Sequence, residues 1–231
     1  IALDTNVDAP GIAAKDVFMQ WNLKLGSTLV NTGAGLDFDI GIPGLGLETR
    51  GAINVQVAWE LAMGFGVGIS RGGFYIDTSD TNELELNVDV TLPNAGLTGR
   101  LLFLQLDADN HVDPAHPKET THLGATFGVD IFRDANGDGH ADGSALIGIA
   151  DLGSLGISMG VAVDAVIDLD LKLKLDSKLV PGADKVFPKI VGEFYLEFAI
   201  GDRGAGTLVG FDGIGNAFQT GLKLVEFQDI G

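Results

Sequence analysis

The sequence predicts an all-β protein, built as an antiparallel β-sandwich or an elongated curled sheet with unusually long amphipathic strands and little helix. Three observations carry that expectation. From Ile53 to Ile69 every odd position is apolar and every even position is polar or small, and Leu155 to Leu175 repeats the pattern. Successive side chains of a strand point to opposite faces, so this period of two describes ribbons with one apolar face. Glycine and proline turn signals such as Pro43-Gly44, Gly72-Gly73 and Pro93 to Gly96 separate the alternating segments. No segment keeps a 3.6-residue apolar period with capping residues at its ends.

Taken in order, residues 1–15 lack a period, and Asp8, Pro10 and Gly11 mark a turn. Val17 to Leu25 alternates and reads as a strand; Gly26 to Gly35 reads as a loop. Residues 37–42 form a short strand stopped by Pro43. The ribbon over 52–70 would extend roughly 55 Å, two to three times an ordinary strand. Arg71-Gly72-Gly73 turns the chain into a returning strand over 74–78. Residues 84–92 alternate, with Glu83, Glu85, Asn87 and Asp89 on the polar side. Residues 97–106 are apolar on both faces, which predicts one central strand. Residues 107–122 are irregular, 123–131 form a strand, and 134–143 form a polar loop. After the second ribbon come a proline-bounded loop over 180–188, a strand over 193–200, a glycine-rich stretch over 201–215 and a last strand over 221–227. The two long ribbons are expected to pack their apolar faces on each other, away from water. Residues 1–231 read as a single β-rich domain. A weak duplication of 45–92 against 147–200 divides it into halves of about 1–145 and 146–231.

Composition narrows the function. The chain has 231 residues, 14 basic and 32 acidic, for a net charge of −18. With no basic patch to neutralise phosphates, nucleic acid is excluded as a partner, and an anionic membrane surface is disfavoured for the same reason. The acidity suits divalent cations or a high-salt host. There are no cysteines, hence no disulfide scaffold and no thiolate chemistry. No apolar run is long enough for a membrane helix. The start at Ile1 is expected of a processed chain or a module of something larger.

The strongest chemical signal is Asp134-Ala135-Asn136-Gly137-Asp138-Gly139-His140-Ala141-Asp142-Gly143. Oxygen-bearing side chains at the first, third and fifth positions, glycine at the sixth and a carboxylate at the ninth match a DxNxDG calcium loop. Asp134, Asn136, Asp138 and Asp142 would present side-chain oxygens, and His140 its backbone carbonyl. Over these ten residues the loop resembles those of EF-hands, dockerins and thrombospondin-type repeats. It departs from them at the twelfth position, where Ala145 replaces the bidentate glutamate, so Asp151, Asp130 or water would complete the site. Asn-Gly and Asp-Gly also form turns by themselves, and the bland reading is a polar hairpin tip. Asp107, Asp109, Asn110 and Asp113 form a looser second acidic cluster. If 97–106 and 123–133 pair as a hairpin, it lies at the opposite end from the Asp134 loop. His111, His116 and His122 lie near Asp113 but match no zinc spacing. Gly68-Ile69-Ser70-Arg71-Gly72 fits the GxSxG pattern of a nucleophile elbow, but strand residues follow it where that motif needs a helix.

These features predict a non-enzymatic, calcium-stabilised structural or adhesive module of a large secreted or cell-surface protein, contacting neighbouring modules or identical subunits. In general character the chain resembles the β-rich repeat modules of giant bacterial surface proteins. The alternative is a carrier of apolar, lipid-like ligands in a groove between the long amphipathic strands. A membrane β-barrel is a third reading, set against a chain with only two Tyr and two Trp for aromatic girdles.

Overall fold

The computed structural model describes residues 13, 17–35, 39–42, 45–50, 52–92, 96–101, 103–111, 120–176, 181–182 and 189–228. Residues 1–12, the Pro93-Asn94-Ala95 turn, Asp113, His116 and most of the 180–188 loop lie outside the described residues. The strands are β1 (Phe18–Gly35), β2 (Asp39–Ile42), β3 (Leu45–Arg50), β4 (Ala52–Gly68), β5 (Gly73–Asp77), β6 (Leu84–Thr91) and β7 (Gly96–Leu101). They continue with β8 (Leu104–Asn110), β9 (His122–Arg133), β10 (Leu146–Gly148), β11 (Leu155–Leu175), β12 (Ile190–Ile200), β13 (Val209–Gly210) and β14 (Leu222–Gln228). Helix among the described residues is limited to α1 (Ile214–Thr220) and two short 3-10 turns, Ile69–Arg71 and Ile149–Ser154. No helix among them is long and apolar enough to cross a membrane. The described registers are antiparallel throughout. The protein is therefore all-β, and the two predicted ribbons are its strands β4 and β11, of 17 and 21 residues.

The chain forms two compact units interleaved in sequence. The first comprises Ile1–Thr28, Ala58–Leu86 and Phe127–Gly160, the second Leu29–Val57, Asn87–Thr126 and Val161–Gly231. Strands β1, β4, β6, β9 and β11 each give a segment to both. In the first unit the hydrogen-bonded order is β10-β5-β4-β6-β9-β11, with β1 also on β4. In the second it is β4-β6-β9-β11-β8-β7-β3-β2, with β12 and β13 on β11 and β14 on β12. The β4–β5 hairpin runs from Gly64↔Asp77 to Gly68↔Gly73, and Gly72 and Gly73 take φ of 79° and 94°. Glycine enters that left-handed region without a Cβ penalty, as the turn reading required.

Two predicted elements are corrected. Residues 26–35 are not a loop but the second half of β1. Cross-strand backbone bonding asks for no apolar period, and Gly26 sits where a Cβ would lie 2.9 Å from the Trp59 carbonyl. Residues 97–106 are not one strand but the hairpin β7–β8, which closes at Leu101↔Leu104. The turn carries no glycine, proline or asparagine, so nothing local announces it. Its second strand pairs onward with β11, Leu175↔Leu104 to Leu169↔Asn110, and not with β9.

The third difference concerns faces. In the first unit the apolar rows of β1, β4 and β11 do not clasp one another away from water. Met19, Trp21, Leu23 and Leu25 are exposed, as are Val67, Leu155, Ile157 and Met159. Ile157 keeps 64% of its surface exposed, while Tyr75 keeps none. On β4 the small-residue row, Gly64, Gly66 and Gly68, is the packed side, because glycine leaves room for a large neighbour. A Cβ on Gly66 would collide with the Tyr75 hydroxyl and the Met19 carbonyl, and one on Gly156 with the Phe132 ring. Around Tyr75 lies a polar knot: its hydroxyl donates to Gln20 Oε1 at 3.0 Å and accepts from Arg71 Nη1 at 3.1 Å. On the apolar side Trp21 stacks on Phe65 with centroids 5.6 Å apart. In the second unit both kinds of row are buried in part: Val166, Thr98, Gln105 and Asp168 on the predominantly polar rows and Val161, Ala108 and Ile200 on the apolar ones, while Leu97, Leu106 and Leu123 are exposed.

Candidate functional site

The loop Asp134–Gly143 lies in the first unit, between β9 and β10. Its ends are fastened by backbone bonds from Asp134 N–H to the Ser154 carbonyl and from Asp142 N–H to the Arg133 carbonyl, both 2.7 Å. Inside, the Asp134 carboxylate accepts from the amides of Gly137 (2.7 Å), Asp138 (3.0 Å) and Gly139 (3.0 Å). Asn136 Oδ1 accepts from the Asp138 amide, and Asp138 Oδ1 from the His140 amide, each at 2.9 Å. Asp142 Oδ2 reaches back to the amides of Ala135 and Asn136 at 3.0 and 3.2 Å. Gly137, Gly139 and Gly143 have φ of 76°, 81° and 75°, which lets the backbone coil so tightly. The five predicted residues thus belong to one coil, with His140 contributing its amide. A carboxylate has about four lone-pair sites, so these oxygens keep acceptor capacity beyond the amides. Of the remote acids, Asp151 is paired with Arg133 at 3.0 Å. Asp130 lies within 3.5 Å of the Ser158 hydroxyl, and burial pushes its carboxyl above the usual range.

A second constellation lies in the second unit, where sequence spacing alone did not place it. Single ligand atoms of His111, Asp168 and Glu193 all lie within 4.8 Å of one another. Asp168 is 3% exposed. His111 directly follows β8, Asp168 lies near the middle of β11 and Glu193 near the start of β12. Register explains the convergence: Asp170 faces Glu193 on one side and Asp109 on the other, two positions along β11 from Asp168. His111 Nδ1 is 2.9 Å from Asp170 Oδ1, and its amide donates to the Asp168 carbonyl at 2.9 Å. That bond to Asp170, with the charges of Asp168, Asp170 and Glu193, holds the imidazole above its ordinary pKa. An imidazole nitrogen beside carboxylates is a donor set able to coordinate a metal ion. Part of the signal was legible, since Asp168 and Asp170 lie where the small-residue row of the second ribbon has become charged; the partners became visible only with the pairing.

The remaining predicted groups disperse. His122 contacts the Thr120 carbonyl through Nδ1 (2.6 Å) and Asp164 through Nε2 (2.8 Å), apart from the His111 group. Asp107 binds Lys174, Thr98 and Gln105. Ser70 lies in the 3-10 turn that leads directly into β5.

The second unit also holds a cavity of about 750 Å³ with a mixed lining, polar at Asn87, Asp89 and Asp164 and apolar at Val90, Leu123 and Val163. Arg203, on the turn after β12, crosses it. Its guanidinium donates to Asp89 (2.8 Å), Asp164 (3.0 Å) and Thr126 (3.1 Å). Lys223 pairs with Glu197 at 3.0 Å. Arg203 and Lys223, which face the cavity, are thus engaged by carboxylates of the protein itself. No known protein family, curated protein or solved structure matches this chain.

Proposed function

We propose that this chain is a non-enzymatic β-module that binds apolar, lipid-like molecules along the uncovered rows of its long strands. The single observation that carries the reading is the exposure of large apolar side chains in rows: Met19, Trp21, Leu23 and Leu25 on β1 and Leu155, Ile157 and Met159 on β11 all face water. Rows of exposed large apolar side chains mark interaction surfaces. These rows are largely aliphatic, which suits acyl chains, and a net charge of −18 disfavours anionic surfaces as the partner.

Native mass spectrometry and solvent extraction of the purified chain test it. Co-purifying lipid, or saturable binding of palmitate that Ile157→Asp and Met159→Asp weaken about tenfold, is the expected result. A clean protein that binds no palmitate and grows in mass with concentration would assign the same rows to contacts between copies.

A second reading, a calcium-stabilised surface module of a secreted protein, is favoured by one observation. The Asp134 loop is already coiled by three left-handed glycines and gripped by its own carboxylates. A ligand that binds only the folded form stabilises it by about 4 kcal/mol at a thousandfold excess over Kd. Melting in calcium should therefore exceed melting in chelator by several degrees. Identical curves would remove calcium from the account.

A further inference from the structure

We propose that His111, Asp168 and Glu193 bind one divalent transition-metal ion of the zinc class, in a site separate from the Asp134 loop and independent of any apolar ligand. The argument begins with how the donors are held. Thr121 Oγ1 donates to the Asp168 carbonyl at 3.1 Å and accepts from the Asp168 amide at 3.0 Å. The His111 amide donates to the same carbonyl at 2.9 Å. Residues from both sides of the 112–119 segment are therefore clamped onto the backbone that carries Asp168. Glu193 is fixed in turn by the eleven-residue β11–β12 ladder, opposite Asp170. Asp168 and Glu193 project from paired strands, and His111, the residue after β8, is held by its own amide bond to β11.

Chemistry then selects the ion. One imidazole nitrogen with two carboxylates is a mixed nitrogen and oxygen set, which suits zinc or its neighbours and is unlike the all-oxygen shell of calcium. A tetrahedral ion with bonds of about 2.1 Å places its donors about 3.4 Å apart, so side chains already within 4.8 Å need only small rotations. Asp170 supplies the outer partner that metal-bound imidazoles characteristically have. Donation of Nδ1–H to Asp170 Oδ1 at 2.9 Å fixes the ring and leaves the Nε2 lone pair for the metal. Asp170 is thus a positioning residue, and His111, Asp168 and Glu193 are the ligands.

The test is titration of the metal-free full chain with cobalt(II), followed by visible absorption, and with zinc, followed by calorimetry. One equivalent per chain is expected, with a cobalt spectrum of low coordination number. Glu193→Gln and His111→Ala should each weaken binding at least about tenfold, and Asp170→Asn should weaken it less. His140→Ala, His116→Ala and Asp134→Asn should leave both stoichiometry and spectrum unchanged. Circular dichroism identifies any variant that fails to fold; Glu193→Gln, which is nearly isosteric, then decides on its own. The proposal is overturned if no saturable cobalt spectrum develops. It is equally overturned if the spectrum survives Glu193→Gln in a folded chain, or if it disappears with His140→Ala or His116→Ala instead.

Discussion

The Asp134 loop and the His111 cluster gather similar side chains by opposite means. The loop assembles within ten residues, each oxygen turned toward an amide two to seven positions away along the chain. The cluster joins residues 57 and 25 positions apart along the chain (111 to 168, 168 to 193), and its geometry exists only when β8 and β12 are both paired to β11. A local site is specified by spacing and glycine. A non-local one is specified by strand register, where a slip of one residue would turn every donor to the other face. Damage to the pairing around a non-local polar group should therefore propagate through its unit, and damage to the loop should remain in the loop.

The largest expected effect is at Arg203, the other non-local polar centre of the second unit. Its guanidinium ties β6, β9 and β11 together through Asp89, Thr126 and Asp164. Arg203→Ala removes the guanidinium from both Asp89 and Asp164 and leaves Asp164 with His122. Allowing for the partial exposure of both acids, about 2 kcal/mol of stability should be lost, which is roughly 4–8 °C in Tm for a chain of this size. Gly124 lies directly beneath this arginine, and a Cβ there would meet its Nη1 and, at 2.8 Å, Asp164 Oδ1. Gly124→Ala should cost about 1–2 kcal/mol in the natural chain and much less in the Arg203→Ala background. Additive losses in that double-mutant cycle would show that the arginine is not packed on the glycine.

A smaller loss is expected in the loop. Asp134→Ala removes three amide contacts from a partly exposed carboxylate, which should cost about 1 kcal/mol. Hydrogen exchange should accelerate at Gly137, Asp138 and Gly139 alone. Faster exchange along β11 would mean that the loop is coupled to the sheet and would erase the contrast between the two sites.

The same division accounts for what could be read from the sequence. Strict parity made residues 53–69 and 155–175 unmistakable as strands, and DxNxDG located the loop. The stretch between Leu101 and Leu104 carries no turn-forming residue, so β7 and β8 read as one strand. Residues 26–35 are polar and glycine-rich, so the half of β1 that follows Leu25 read as a loop. Parity defines two faces but not which one meets water. That was decided by Tyr75, Phe132 and Arg203, large side chains from other strands or turns that fill the space above Gly66, Gly156 and Gly124. His111 lacked a visible partner for the same reason, since Glu193 joins it only through β11.

Titration extends the contrast to one buried and one half-buried acid and gives the smallest effects. Glu83, in the first unit, is 1% exposed; its Oε2 accepts from the Ile131 amide, and its Oε1 is buried without a hydrogen bond. Burial is the main influence and raises its carboxyl above the ordinary 4.5, with Asp130 adding to the shift. Asp107, in the second unit, is also opposed by burial, its largest single influence. Hydrogen bonds from Lys174, Gln105 and Thr98 together outweigh it and hold the group below 3.8. The two should act on stability with opposite sign. As pH rises through 4.5, unfolded chains ionise at Glu83 while the folded chain stays protonated, so stability falls until the folded group also ionises. Asp107 contributes stability above 3.8 that disappears as pH drops through its lower folded value. Glu83→Gln should therefore flatten the loss on the alkaline side of 4.5 while changing stability at pH 4 by less than about 0.5 kcal/mol. Asp107→Asn should flatten the acid limb instead. Urea midpoints measured from pH 3 to pH 7 separate them, and a Glu83→Gln curve parallel to that of the natural chain would mean that the Glu83 carboxyl ionises as readily in the fold as in water.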